Sequence, residues 1–458
     1  MAKKRNKSAK RNLTSEPVIV PSGTYDIAIV GGGASGLACA IACMQQVRLA
    51  QNVPDTPMFP RIVILESGKR IGASIMRSGN GRCNFSNAHL DVSRYHHADF
   101  VREAFLALES NSALPSVLEW FEQLGLVWKE MPGSDGLLYP FSNKANSVLE
   151  VLRYALDRDG TFLRTSSVVY AIHKADDFHD GSAETLAPFA LLGETTLSDE
   201  ETVPFEINAN QVVVASGGAT SHTLLSNFEV HYSEPTPLLG PLKAKPLISE
   251  ISLSALDGIR MQVCLRIPER SFEEKGEILF RDYGLSGIVV FNASRYVQPR
   301  DTIVLDLVPE YSTDALSALF MRRLNILGAR KPLDFLTGFV LPSLALALLQ
   351  NADIAQATQI TEEDVPALVK ACKEFSFEVD GIADARTCQV RRGGIHPSAS
   401  DAATMQLVNY PGLFVLGEAL DVDGPCGGYN LHWAWTTGLL AGNALAAKTR
   451  EGNTKPVR

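Results

Sequence analysis

The segment "YDIAIVGGGASGLACAIAC", residues 25–43, constrains the fold of this 458-residue chain more than any other. Its first six residues are mostly apolar and do not alternate with polar ones, which predicts a strand buried on both faces. A glycine-rich turn follows, and small residues then recur at helical spacing. A strand, a tight turn and a helix in this order form the context of a dinucleotide-binding motif. The segment therefore predicts an α/β chain.

The glycines of this turn have the GxGxxG spacing of dinucleotide-binding loops. Gly31 allows the tight turn, Gly33 lets the backbone approach a pyrophosphate, and Gly36 lets the helix touch the strand. Ala34 and Ser35 lie at the start of the helix, where free N–H groups and partial positive charge favour phosphate. We therefore expect these five residues to bind the dinucleotide.

Later segments indicate that the dinucleotide is FAD. The second predicted strand, "RIVILE", ends in Glu66, the acid expected at the ribose hydroxyls, and a polar loop over residues 48–61 delays it by about ten residues. The segments "VVVASGG", which contains Gly217, and "GLFVLGEALD" are typical of strands that return to the same sheet in two-part flavin folds. There, the acid after the terminal glycine meets the ribityl and pyrophosphate portion of FAD. Gly417 and Glu418 are placed for that contact.

A third glycine-rich stretch, "GPCGGYNLHWAW", follows the last of these strands. Gly427 and Gly428 would let the backbone pass close to a flat ring, and a helix is predicted to begin near Leu431. Negative charge accumulates at the N1/C2 edge of a reduced flavin, so a helix N-terminus there would raise its potential. His432 is a candidate proton donor. The two tryptophans lie on different faces of the predicted helix, and core packing is the simpler interpretation of both.

The pattern changes after residue 217 and returns near residue 390. The intervening chain first alternates like an antiparallel sheet and then becomes rich in Ala and Leu with a helical period. We therefore predict an inserted domain. The predicted organisation is a basic flexible tail over 1–23, an FAD-binding domain over 24–217 and 390–450, and an inserted β-rich domain over 218–389 with a helical subdomain near 312–373.

Charge and composition exclude several classes of protein. The formal charge is −9, but the first twelve residues hold six Lys or Arg and no acid, so the rest of the chain carries −15. No apolar run reaches the roughly 20 residues that span a bilayer, and no signal-like apolar stretch follows the basic tail. The seven cysteines are scattered without a CxxC pair, which argues against a disulfide framework and a zinc site. We expect a cytoplasmic protein with no metal and no membrane partner.

Several longer motifs resemble those of the HI0933-like flavoproteins, which include FAD-dependent oxidoreductases and aminoacetone-oxidase-like proteins. The motifs are "ESGKRIGASIMRSGNGRCNFSN", "YPFSNKANSVLEVL", "PTPLLGPL", "GEILFRDYGLSG" and "GLFVLGEALDVDGPCGGYNLHWAWTTGLLAG". The resemblance extends from about Tyr25 to Ala447. It implies a glutathione-reductase-like FAD-binding Rossmann domain with an inserted β-rich domain and a small helical domain.

The same resemblance implies which residues contact FAD. Val169 would lie near the adenine, and the other implied contacts are Glu66, Arg82, Cys83, Asn84, Gly417, Glu418, Gly427, Gly428, Asn430 and Leu431. Cys83 has no partner at CxxC spacing, so a packed small residue is a simpler interpretation than a redox thiol.

The chain departs from the family pattern at one chemically important place. Where the family commonly has Thr-His, "GEILFRDYGLSGI" has Arg281-Asp282, so the role of that histidine cannot be transferred. Asp282 and Tyr283 are instead a candidate acid and a candidate hydrogen-bond donor. An ordinary turn pair explains them equally well.

The chain has no second GxGxxG motif, so electrons are expected either from NAD(P)H that docks transiently over the flavin or from another donor. The first hypothesis is hydride reduction of a C=C bond conjugated to a carbonyl in a small molecule. The second is reduction of uridine in RNA to dihydrouridine, which the basic tail favours slightly. An amine or amino-ketone oxidase and a non-catalytic FAD-binding protein remain as alternatives.

Overall fold

The computed structural model describes residues 18–50, 59–159, 161–174, 187–328 and 330–453. Most of the predicted basic tail and the middle of the predicted loop over 48–61 lie outside these residues. Within them, no helix combines the length and the apolar character that a bilayer crossing requires.

Helices and strands alternate in the first part of the chain, strands dominate the middle and helices follow. The helices are α1 Ala34–Ala50, α2 Ala73–Arg77, α3 Ala98–Ser110, α4 Val117–Gln123, α5 Ala145–Asp159, α6 Ser221–Leu224, α7 Leu253–Leu256, α8 Ile288–Ala293, α9 Thr313–Leu327, α10 Pro332–Leu336, α11 Pro342–Asn351, α12 Val365–Lys373 and α13 Tyr429–Asn453. The strands are β1 Thr24–Val30, β2 Ile62–Leu65, β3 Ser86–Asn87, β4 Trp128–Glu130, β5 Leu137–Pro140, β6 Phe162–Arg164, β7 Ser167–Lys174, β8 Phe189–Ser198, β9 Glu201–Val214, β10 Tyr232–Leu238, β11 Leu242–Pro246, β12 Arg260–Ile267, β13 Phe272–Arg281, β14 Gly284–Ser286, β15 Thr302–Asp306, β16 Phe375–Ile382, β17 Val390–Ile395 and β18 Leu413–Val415.

A seven-stranded sheet forms the centre of the part of the protein that contains β1 and α1. Six of its strands have the order β6-β2-β1-β9-β8-β7, and the seventh, β18, pairs with β9. Strands β6, β2, β1 and β9 are parallel to one another. The long strand β9 pairs antiparallel with β8 in its first part and parallel with β18 in its last part. The buried strands β1 and β2 have no polar face, as expected for parallel strands covered on both sides. This sheet confirms the predicted Rossmann-type α/β fold.

Helices α1 and α13 cross in unusually close contact. A Cβ atom on Gly438 would lie 2.6 Å from the Ala38 Cβ, and one on Gly442 would lie 2.7 Å from the Ala42 Cβ. The small residues at helical spacing in α1 therefore face α13. Helix α1 also approaches the sheet at Gly36, where a Cβ would lie 3.2 Å from the Ile29 side chain.

A closed six-stranded barrel occupies the middle of the chain. Its order is β11-β14-β13-β12-β15-β16, and β16 closes the barrel by pairing with β11. The barrel and α9 to α12 share an apolar core that is distinct from the core of the first sheet. The chain passes between the two parts through the antiparallel pair β10 and β17. The sequence predicted antiparallel strands here, and barrel closure is an additional finding.

Candidate functional site

The loop between β1 and α1 has the close contacts that its glycines allow. Gly31 has a φ of +113°, and a Cβ there would lie 2.3 Å from the Ala215 carbonyl oxygen. A Cβ on Gly36 would lie 2.1 Å from the Gly31 carbonyl oxygen. Gly33 differs, because its nearest neighbour would be the Ser74 hydroxyl at 3.6 Å. The protein itself therefore leaves no room for a side chain at Gly31 or Gly36, whereas Gly33 has open space beside it.

Glu66 lies across this loop at the end of β2. One carboxylate oxygen accepts a hydrogen bond from the Gly32 N–H at 2.8 Å, and the other accepts one from the Gly68 N–H at 2.6 Å. The Glu66 carbonyl accepts a bond from the Ser167 N–H, which holds the start of β7 beside it. The buried side chain of Val169 lies two residues further along β7. Glu66 and Val169, the two residues predicted to contact the adenosine half of FAD, are thus on adjoining segments.

The ends of β9 and β18 meet next to the same loop. Gly217 has a φ of +80°, and a Cβ on the next residue, Gly218, would lie 2.9 Å from the Glu418 carbonyl oxygen. Gly417 is held by α13, because its carbonyl accepts a bond from the Trp433 indole at 3.1 Å. The Glu418 carboxylate accepts a bond from the Arg391 N–H at 2.9 Å. Burial raises the pKa of Glu418 to about 7, against the opposing effect of that bond.

The turn before α13 approaches the backbone of β3. Gly427 and Gly428 have φ values of +114° and +95°, and a Cβ on Gly428 would lie 2.2 Å from the Ser86 carbonyl oxygen. The Asn430 side chain closes the turn by accepting a bond from the Gly424 N–H and donating one to the Gly424 carbonyl, both at 2.8 Å. Helix α13 begins at Tyr429, two residues before the predicted start. Leu431 is half-buried in its first turn.

The segment Arg82–Cys83–Asn84 combines a strained backbone with an unsatisfied polar atom. Cys83 has a φ of +60° and is fully buried, and burial raises the pKa of its thiol to about 12. A reactive thiolate is therefore disfavoured there. The Arg82 guanidinium lies 5.0 Å from the centre of the Tyr139 ring. The buried Asn84 Oδ1 has no hydrogen-bond partner among the described residues.

These features fit FAD. A buried amide oxygen without a partner is costly, and the hydroxyl and N–H groups of FAD are donors that could satisfy Asn84. The glycine loop with its open second position suits a pyrophosphate, and the N-terminus of α13 suits the edge of the flavin where negative charge develops. Glu66 and Glu418 carry carboxylate oxygens, which are acceptors of the kind that sugar and ribityl hydroxyls require.

His432 and the pair Asp282–Tyr283, the predicted catalytic residues, lie in different parts of the molecule. The His432 Nδ1 is 2.8 Å from the Ser86 hydroxyl, and burial lowers the pKa of its imidazole to about 4. A neutral imidazole at pH 7 is a poor proton source. Asp282 and Tyr283 are in the turn between β13 and β14, where the Tyr283 carbonyl accepts a bond from the Ala244 N–H. Within the described residues, the polar contacts of that turn are made to the barrel, so a catalytic role for either residue remains a prediction.

Sequence analysis missed a buried ion cluster that joins the barrel to the turn before α13. The Asp423 carboxylate is fully buried and lies 2.7 Å from the Nε atom of Arg295 and 2.7 Å from that of Arg392. Arg295 follows α8 in the barrel part, and Arg392 is in β17. The only signal for this cluster was the paired acids of "LDVDG", since nothing in the sequence marks the two arginines as their partners.

A second contact across the same boundary involves an amide and an acid. The Asn292 Oδ1 accepts a bond from the Cys426 N–H at 2.8 Å, and the Asn292 Nδ2 donates one to the Glu274 carboxylate at 2.6 Å. The Arg94 guanidinium lies 3.5 Å from Glu274. Burial raises the pKa of Glu274. The barrel therefore presents a partly buried acid next to the turn, and sequence analysis did not identify it.

Comparison with known proteins agrees with this geometry. The sequence profile described as the HI0933-like protein Rossmann domain matches residues 25–444. A 3-dehydro-bile acid delta(4,6)-reductase of Clostridium scindens is 30% identical, over 92% of this chain and 99% of the relative. A ribosomal RNA dihydrouridine synthase of Escherichia coli is 26% identical over 93% and 99% of the two chains, and one of Haemophilus influenzae is 26% identical over 89% and 95%. This chain belongs to the HI0933-like family of FAD-dependent oxidoreductases.

Proposed function

We propose that the protein reduces a C=C bond conjugated to a carbonyl group in a small molecule. The observation that carries the proposal is a shared bond type among relatives that align over nearly the whole chain. A delta(4,6)-reductase of a 3-oxo compound acts on double bonds conjugated to that oxo group. A dihydrouridine synthase acts on the C5=C6 bond of uracil, which is conjugated to the C4 carbonyl. The acceptor bond is therefore common to both, and the molecule that carries it differs.

Bound FAD would supply the hydride for the β-carbon of such an acceptor. The loop residues Gly31 to Gly36, with Glu66 and Glu418, would hold the dinucleotide. The first turn of α13 would place partial positive charge at the flavin edge that becomes negative on reduction. NAD(P)H is the proposed source of electrons, and a cytoplasmic location would supply it.

The α-carbon of the acceptor needs a proton, and we assign Glu274 as the donor of that proton. This carboxyl group is near the turn before α13, through Asn292 and the Cys426 N–H. Its pKa is raised by burial, which keeps more of the acid form near neutral pH than an exposed glutamate would have. His432 is less suited, because its imidazole is neutral at pH 7.

A pair of substitutions tests Glu274. We expect E274Q to slow oxidation of the reduced flavin by an enone about 100-fold, the typical contribution of a general acid, with little effect on flavin reduction by NAD(P)H. E273Q is the matched control, because the neighbouring Glu273 is exposed. Stopped-flow absorbance of the flavin follows both half-reactions. Equal rates in E274Q and E273Q would exclude Glu274 as the acid.

RNA uridine is the second candidate substrate, since two relatives are named as ribosomal RNA dihydrouridine synthases. The charge of −15 outside the first twelve residues opposes RNA binding and favours the small molecule.

The deciding experiment offers the reduced flavoprotein three acceptors without oxygen: a cyclic enone, a 4-ene-3-oxo steroid and unmodified ribosomal RNA. Rapid flavin oxidation by an enone or steroid, with the saturated ketone as product, supports the proposal. Oxidation only by RNA, with dihydrouridine detected by mass spectrometry, supports the second candidate. Hydrogen peroxide formation from an amine substrate, or a flavin that no donor reduces, would contradict both.

A further inference from the structure

We propose that His96, His97 and Asp421 form a binding site for a divalent transition-metal ion, with zinc as the best-matched ion. Both histidines come just before α3, and Asp421 follows the segment that holds Gly417 and Glu418. One potential ligand atom of each side chain lies within 4.8 Å of the other two. The site is separate from the proposed reaction and assigns a function to residues that the reaction does not use.

The distances are close to those of a metal site. The His96 Nε2 is 3.7 Å from one Asp421 carboxylate oxygen, and the His97 Nε2 is 3.5 Å from the other. Ligand bonds of about 2.0–2.2 Å in a tetrahedral zinc site put neighbouring ligand atoms roughly 3.4 Å apart. The two imidazoles are 33% and 26% exposed, so their rings can turn toward a shared ion.

The carboxylate is fixed in place before any ion binds. Its side chain is 5% exposed, one oxygen accepts a bond from the Gly393 N–H at 2.7 Å, and the Asp421 N–H donates to the Ile395 carbonyl. Hydrogen bonds that orient a ligand in this way are typical of the shell around a metal site. The His96 N–H donates to the Asp423 carbonyl, so the backbone of one histidine is fixed as well.

The electrostatics of the site also favour a cation. Among the described residues, the ion pairs of the Asp421 carboxylate are formed with the two imidazoles alone. A buried carboxylate needs compensating positive charge. A dication bound between the three side chains would provide it. Imidazole with carboxylate suits zinc or ferrous iron better than magnesium or calcium, which prefer oxygen ligands alone.

Two further histidines, His396 and His231, lie beside the proposed site. The His396 ring centre is 4.8 Å from that of His97, and His231 stacks on His396 at 4.7 Å. The His396 Nδ1 accepts a bond from the Ser398 N–H and lies 2.8 Å from the Ser398 hydroxyl. His396 is therefore engaged by its own turn and is not assigned as a ligand. Three protein ligands leave a coordination position for water.

A bound ion would join the start of α3 to the strand end that leads into the turn before α13. The second segment leads into the turn that is proposed to contact the flavin, and the ion would tie that segment to α3. The sequence-based expectation of no metal considered cysteine spacing, whereas this cluster consists of histidines and an acid separated by most of the chain.

Zinc titration of the tag-free holoenzyme, after treatment with a chelator, tests the site. We expect one zinc ion per chain by calorimetry and elemental analysis, and a higher melting temperature with zinc. H96Q and H97Q should each weaken binding by at least about 10- to 100-fold, the loss known even for residues that only orient a ligand. H89Q is the matched control, because His89 and Asp135 form a surface pair at 3.4 Å to which the described residues add no third ligand. It should bind zinc as the wild type does.

X-ray absorption of the zinc-loaded wild type provides a test that does not depend on the folding of the variants. A shell of two imidazole nitrogens and light oxygen ligands is expected. Absence of stoichiometric zinc, equal affinity in H96Q, H97Q and the wild type, or a shell without imidazole would each overturn the proposal. The flavin spectrum of each variant checks that it remains folded.

Discussion

The loop over residues 31–36 and the turn over residues 424–429 border the same site, but they are stabilised in different ways. The loop depends on close backbone contacts, such as the approach of Gly36 to the Gly31 carbonyl. The turn depends on polar side chains from distant parts of the chain. Asn87 donates to the Gly427 carbonyl, and Asn292 accepts from the Cys426 N–H. Close backbone contacts therefore dominate the first region, with one added bond from the Gly32 N–H to Glu66, whereas the second combines a close approach at Gly428 with hydrogen bonds and buried charge from distant segments.

This difference shows which changes each region can tolerate. The loop should be sensitive to a single methyl group at Gly31 or Gly36. The turn should be sensitive to loss of a charge or a hydrogen bond.

The largest effect is expected at the centre of the turn's polar network. D423A would leave Arg295 and Arg392 without their shared carboxylate, and breaking a buried pair costs about 3–5 kcal/mol in free energy of unfolding. Urea denaturation measures this. The matched control is E277A, which removes a carboxylate from the exposed pair with Arg260 and should cost at most about 1 kcal/mol. Similar losses in both variants would show that the turn does not depend on buried charge.

Two glycine-to-alanine substitutions, each of which adds one methyl group, test the loop. G36A would place a Cβ at 2.1 Å from a backbone oxygen, so we expect a loss of about 3 kcal/mol in stability together with loss of FAD. G33A has space in the protein, where the nearest atom would be at 3.6 Å. It should fold with nearly normal stability and bind FAD more weakly. Thermal unfolding of the flavin-free protein and flavin fluorescence separate the two effects. Equal destabilisation would refute the distinction between these glycines.

Glu418, which follows Gly417, predicts a pH dependence. Its pKa is raised to about 7 in the folded protein, so the folded state binds more protons than the unfolded state above about pH 4.5. Its contribution to stability is present below pH 4.5 and is lost as the pH rises to 7. We expect the flavin-free wild type to lose about 1–2 kcal/mol from this group over that range, less than the full shift implies because the side chain is only partly buried. E418Q should lack that component in urea denaturation, and an unchanged pH profile would contradict the assignment.

The smallest effect is expected at His432. H432Q removes the contact with the Ser86 hydroxyl and should cost about 1 kcal/mol in stability. Because its imidazole is neutral at pH 7, we expect enone-dependent flavin oxidation to slow less than tenfold, with no change in its pH profile between 6 and 8. A loss of 100-fold or more would identify His432 as the general acid after all.

Local sequence patterns predicted the parts of the fold that depend on neighbouring residues. The motif at Gly31 to Gly36 predicted β1, the loop and α1. The helical period near 312–373 corresponds to α9 through α12. In each case the signal was contained within one element, so no knowledge of distant partners was needed.

Features that depend on distant pairing were not predicted. Closure of the barrel requires β11 to pair with β16, over 100 residues later. Strand β8 was also missed, although its hairpin with β9 is local. The ion cluster joins Arg295 to Asp423, which are 128 residues apart. His96 and Asp421 are further apart still. Composition and periodicity contain no information on which of several arginines or histidines will meet a given acid.

The contact between α1 and α13 has a consequence for how the protein forms during synthesis. Helix α1 leaves the ribosome early, but the helix that covers its row of small residues is made only after almost all of the described chain. Strand β18, which completes the first sheet beside β9, also arrives late. The barrel strands and the helices α9 to α12 that share their core lie within residues 242–382, so the barrel can fold before α13 is made. We therefore expect the nascent protein to hold an unfinished Rossmann sheet around a completed barrel, and to depend on chaperones during that interval.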